Sequence, residues 1–214
     1  LVGVLAAASM TLGNLAAFWQ DDVRRLLGWS TVSQVGYLLL PIAVAGRSDL
    51  ALPSLLLYLA GYAATNLTAF AVVAALPTRR TITDYRGAAR THPWLAGTLI
   101  VSLLGLVGTP PTIVFIGKLT TLAAAWDGGL VWLVIIAVIN SVASLFYYLR
   151  WLAPMFSRAP VPPFSPPTSS PATAAARVRR RWAARSAITG ATSILILGIV
   201  AGGILSIANT PLSH

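Results

Sequence analysis

Residues 93–126 read PWLAGTLIVSLLGLVGTPPTIVFIGKLTTLAAAW. The stretch is apolar from end to end, yet Gly108-Thr109-Pro110-Pro111 interrupts it. Proline removes a backbone donor and ends a helix, so the interruption predicts a helix broken in its middle. At membrane depth such a break is tolerated only inside protein or beside a wet cavity. Seven residues past it stands Lys118, the only lysine in the chain. Lysine is the cation whose proton affinity moves readily when water is withdrawn, whereas arginine stays charged. A titratable cation buried in an apolar span costs about 3 kcal/mol or more and marks a functional site by default. The simpler alternative is a lysine that snorkels to the interface.

Working outward, the 214 residues are 57% hydrophobic and 9% charged, with a mean hydropathy of +0.78. Soluble domains carry about 25% charged residues, so the composition reads as an integral membrane protein. The chain has no cysteine, which excludes disulfides and thiolate metal sites. It has no glutamate, and its five aspartates fall in or beside expected loops. Two histidines, His92 and His214, offer no helical metal pair, so no metal site and no catalytic residue is expected. The net charge of +10 reads as arginine on cytoplasmic loops rather than a nucleic-acid surface. The first residues lie inside an apolar run with no Met and no basic flank, as in the interior of a longer chain.

Apolar runs predict spans over about 1–19, 23–45, 51–76, 93–126 (broken at 108–111), 130–153 and 187–208. Polar side chains inside them are candidates for a water-lined path: Gln34 in the second span, Tyr62 and Asn66 in the third, Asn140, Ser141 and Ser144 in the fifth. Bonding between neighbouring helices is the equally weighted alternative. Tyr147, Tyr148 and Trp151 beside Arg150 read as an interfacial aromatic belt. Residues 157–185, rich in proline and arginine, read as an extended cytoplasmic linker before the last helix.

Loop charges decide how often residues 93–126 cross. With one broken crossing, thirteen arginines share a side and Arg47 stands alone on the other. With two crossings the split becomes six against eight. The positive-inside bias favours one broken crossing. The expectation is therefore an all-α membrane protein with six crossings, one of them discontinuous, and both ends of this stretch on the non-cytoplasmic side.

The segments GNLAAFWQDDVRRLLGWSTVSQVGY (13–37), YLAGYAATNLTAF (58–70), DYRGAART (84–91), SLLGLVGTPPTIVFIGKL (102–119) and NSVASLFYYLR (140–150) carry a resemblance. They look like the proton-translocating membrane subunits of respiratory complex I and their Mrp antiporter relatives. Phe-Ile-Gly-Lys (115–118) is closest to the subunit N branch of NADH–quinone oxidoreductase. The resemblance covers residues 1–156 as the second of two inverted five-helix repeats, followed by a last helix. It implies that Lys118 holds and passes a proton, and that Arg24, standing where relatives carry lysine, keeps an electrostatic coupling role. Gln34 replaces a common histidine and Val114 a common glycine. It further implies a bacterial inner-membrane location, other membrane subunits of complex I as partners within the lipid bilayer, quinone only through the complex, and no cofactor in this chain. An Mrp-type cation/proton antiporter subunit and a structural remnant stay open as alternatives.

Overall fold

A computed structural model describes residues 1–158 and 174–208. Among the described residues there is no strand. The helices are α1 (Val2–Phe18), α2 (Val23–Ala43), α3 (Ala51–Ala75), α4 (Ala88–Thr91), α5 (Pro93–Val107), α6 (Ile113–Asp127), α7 (Val131–Phe156) and α8 (Ala174–Ala208), with a 3₁₀ turn at Ile82–Tyr85. Four segments are long and apolar enough to cross a membrane: α2, α3, α7 and Arg181–Gly202 of α8. Helix α1, with 17 residues, and helices α5 and α6, with 15 each, are shorter.

Lipid is as apolar as a leucine side chain, so close backbone approach rather than apolar burial holds such helices together. Glycines set the contacts. A Cβ on Gly13 would lie 2.5 Å from the Ser33 backbone nitrogen, so α1 and α2 touch there backbone to backbone. A Cβ on Gly117 of α6 would lie 2.8 Å from the Cα of Tyr58 of α3. Gly198 of α8 sits directly on the backbone of Pro111, Thr112 and Ile113, so the last helix covers the break.

Two expectations are corrected. Tyr147, Tyr148 and Trp151 are fully buried and form no interfacial belt. They repeat at helical spacing with Asn140 and Ser144, which faces them into the bundle; Phe146, Leu149 and Arg150 on the opposite face are exposed. The linker expected over 157–185 gives way to helix at Ala174, because Ala and Arg are strong helix formers and the span simply extends back through them. Residues 159–173 of that expected linker lie outside the described residues.

A loop layer closes the α2 end of the bundle. The Val23 N–H donates to the Arg80 carbonyl and the Ile82 N–H to the Asp21 carbonyl, both at 2.9 Å. Asp22 caps α2 by accepting from the Arg24 and Arg25 N–H groups. Thr81 and Asp84 form a reciprocal capping box, and Tyr85 packs edge-on against Trp151 at 5.3 Å. The Asp84 carboxyl is held below its ordinary range, first by the Thr81 N–H, with burial opposing. At Asp22 burial alone would raise the value, but the Arg24 and Arg25 N–H groups and the Arg80 and Arg25 charges outweigh it. Depressed folded values stabilise the layer above the unfolded value of 3.8 and withdraw that support as pH falls below it. Amide exchange of residues 79–87, corrected for intrinsic rate, is expected to accelerate there; protection that persists well below the carboxylate range refutes this.

Candidate functional site

The break between α5 and α6 builds the site. In an unbroken helix the carbonyls of Leu106 and Val107 would accept from the N–H groups of residues 110 and 111. Both positions are proline and have no N–H. Upstream, Gly108 takes a left-handed conformation (φ +92°) and donates to the Gly105 carbonyl at 2.8 Å, while the Thr109 N–H donates to that of Leu104. Downstream, Thr112 caps α6 by accepting from the Phe115 N–H. Two adjacent carbonyls, those of Leu106 and Val107, are thus released into the bundle interior.

Lys118, one and a half turns into α6 and 5% exposed, fills that opening. Its ammonium donates to the Val107 carbonyl at 2.7 Å, the Leu106 carbonyl at 3.1 Å and Ser141 Oγ of α7 at 3.3 Å. It also lies 4.4 Å from the centre of the Tyr37 ring of α2. All three N–H donors are therefore spent on neutral oxygens. Ser141 in turn donates to the Val107 carbonyl at 2.9 Å, and Gln34 donates to that of Leu106 at 3.0 Å. The Tyr58 hydroxyl donates to the other end of the Gln34 amide. A cavity of about 200 Å³ reaches the lysine between α6 and α7, past Phe115, Leu122 and Val138.

Of the residues expected to line a path, Ser141 touches Lys118 directly and Gln34 shares a carbonyl with it. Tyr62 and Asn66 lie further along α3: Tyr62 stacks on Tyr58 at 6.3 Å, and Asn66 donates to Tyr62 and to Thr31. Asn140 and Ser144 do not reach the lysine. Asn140 pairs with Asn14 of α1 at 2.9 Å, which also accepts from Tyr147, and Ser144 bonds back to the Ser141 carbonyl. Arg24 is exposed at the first turn of α2, ten residues and about 15 Å of helix from Gln34, outside the site. Val114 is fully buried.

Ser30, Tyr37 and Tyr58 stand among the polar residues of the second and third spans, but the sequence does not tie Tyr37 and Tyr58 to the lysine site or pair Ser30 with Tyr148. Tyrosine at helical spacing reads equally well as core, so only the contacts separate the two. The carbonyls of Leu106 and Val107 were within reach of the sequence, since each lies four residues before a proline.

Residues 1–144 match the family described as NADH:quinone oxidoreductase/Mrp antiporter, transmembrane. The chain belongs to this family. Curated family members include an NADH-quinone oxidoreductase subunit N from Mycobacterium sp. (strain JLS), 61% identical across 94% of this chain and 41% of its own length. Another, subunit N 1 of Streptomyces griseus, is 55% identical across 96% and 41%. The chain thus spans about two fifths of the relatives it matches. Among solved structures, respiratory complex I from Thermus thermophilus with bound aureothin superposes at a TM-score of 0.75 and 30% identity, over 96% of this chain and 44% of that one. The Mrp complex from Dietzia sp. DQ12-45-1b gives 0.80 at 26%, over 95% and 44%.

Proposed function

We propose that this chain is the C-terminal part of a proton-translocating membrane subunit of complex I, and that Lys118 is its proton carrier. The observation that carries the proposal is the lysine's setting. A buried ammonium is held by two carbonyls freed by prolines, one hydroxyl and the face of the Tyr37 ring. A charge arriving or leaving nearby tips that balance, and Ser141, Gln34 and Tyr58 offer hydroxyl and amide groups to relay the proton. Asn66, whose Oδ1 is buried without a partner among the described residues, extends the polar route along α3. Electron transfer from NADH to quinone belongs to other subunits of the assembly, and this chain holds no cofactor.

The second reading is an Mrp-type antiporter subunit, favoured by the superposition on the Dietzia complex. Relatives at 61% and 55% identity weigh toward complex I. Isolating the full-length protein by a tag separates the two. Flavin absorption and iron–sulfur signals in the co-purified assembly are the expected result. An assembly of membrane subunits without redox centres overturns the complex I reading.

The proposed topology has six crossings, with α5 and α6 together making one discontinuous crossing. Each is about 22 Å long, short of a bilayer's roughly 30 Å core. The loop layer at residues 77–92 then faces the cytoplasm and both ends of the stretch face away from it. Thr83, exposed in that layer, is a place to test this. Thr83→Cys is expected to resist an impermeant thiol reagent in intact cells and to react after lysis; labelling without lysis refutes the orientation.

A further inference from the structure

We propose that the groove between α5 and α8 binds an anionic phospholipid of the bilayer, one acyl chain along the groove and the phosphate at its arginine end. The groove encloses about 750 Å³ and is walled by Trp94, Gly97 and Val101 of α5 and Ile188, Leu195 and Ile199 of α8. Its walls offer a ligand almost nothing polar, since the Thr192 hydroxyl is already bonded to the Ile188 carbonyl. From Ile188 to Ile199 the floor runs about 16 Å, close to half a bilayer core and so the depth of one leaflet.

The two helices run in the same direction. Gly198 packs beside the end of α5, on Pro111 to Ile113, so Arg185 and Arg181 lie at the opposite, Pro93 end. Both arginines are exposed, and Arg185 stacks over Trp182 at 5.7 Å. Trp94 is 78% exposed and Trp182 61%, the placement of side chains that sit at the headgroup level. Ion pairs among the described residues join Arg80 to Asp22 and Arg150 to Asp21, leaving Arg181 and Arg185 to neither. A guanidinium pair above an apolar slot complements a phosphodiester above an acyl chain. The paired guanidinium groups above the apolar slot favour a lipid phosphate as its occupant.

The test uses the full-length protein in its purified assembly, reconstituted with phosphatidylglycerol or phosphatidylcholine spin-labelled on the acyl chain. Gly97 has nothing within 4 Å of a Cβ, so Gly97→Trp fills the slot without displacing backbone. The immobilised phosphatidylglycerol signal present in wild type is expected to fall in Gly97→Trp. Arg181→Gln with Arg185→Gln is expected to lower the preference for phosphatidylglycerol over phosphatidylcholine about thirtyfold, from two charges near an anionic surface. If Gly97→Trp fails to assemble, the arginine pair decides alone. Equal signals for both lipids in wild type, or an unchanged preference in the arginine variant, overturn the proposal. So does cross-linking of Gly97→Cys to another polypeptide instead of to lipid.

Discussion

Replacing Lys118 by methionine in the full-length protein, within its assembly, is expected to lower proton flux through this subunit by about a hundredfold. That is the lower end of what a positioned acid–base group contributes. Methionine matches the length of the aliphatic stem and fills the space between Tyr37, Gly108 and Ser141. It offers no N–H to the Leu106 and Val107 carbonyls, but Gln34 and Ser141 still donate to them. Assembly is therefore expected to survive, which separates loss of the carrier from loss of the fold. Lys118→Arg keeps the charge yet surrenders its proton too reluctantly, so flux should fall there as well. Proton uptake by reconstituted vesicles, set against the rate of NADH oxidation, measures both variants. A methionine variant that assembles and pumps like wild type would reduce Lys118 to a packed cation.

Gly108→Ala is expected to act on the same ammonium without touching its chemistry. Gly108 holds φ at +92°, where an L side chain costs about 1–2 kcal/mol. Its new Cβ would also stand 2.8 Å from Lys118 Cδ, well inside contact distance. The lysine stem must shift, and with it the bonds at 2.7 and 3.1 Å to the two carbonyls. Weakening those two hydrogen bonds by about 1.4 kcal/mol in total corresponds to roughly a tenfold loss of rate. Gly129→Ala is the control: Gly129 also has positive φ, at +80°, but nothing lies within 4 Å of its Cβ. Its variant carries similar backbone strain and should keep pumping. Equal losses in both would mean that strain alone, not displacement of Lys118, caused the effect.

Much of this was legible from residues. The apolar runs announced helices because a backbone in lipid has few other ways to pair its polar groups. The two prolines announced the break, and Lys118 announced the site by being the one titratable cation in an apolar stretch. Asn140, expected to line the path by the logic that found Lys118, bonds to Asn14 instead, whereas Arg24 was pointed to only by the resemblance. A polar residue in a span announces a partner but not which one, and only packing put Asn140 against Asn14. Composition likewise could not tell a buried tyrosine from an interfacial one, because the side of a helix that faces the bundle depends on its neighbours.

The sequence by itself determined the membrane class, the helical elements, the break at Gly108 to Pro111 and the carbonyls that prolines must free. These are local consequences of hydropathy and of missing N–H donors, which no packing can restore. Tertiary structure decided what those carbonyls hold. Gln34, Tyr37 and Ser141 stand 72, 70 and 34 residues from Leu106, Val107 and Val107 in turn. They gather around the lysine and its carbonyls because α2, α5, α6 and α7 pack together, with glycines bringing α1 onto α2 and α3 onto α6.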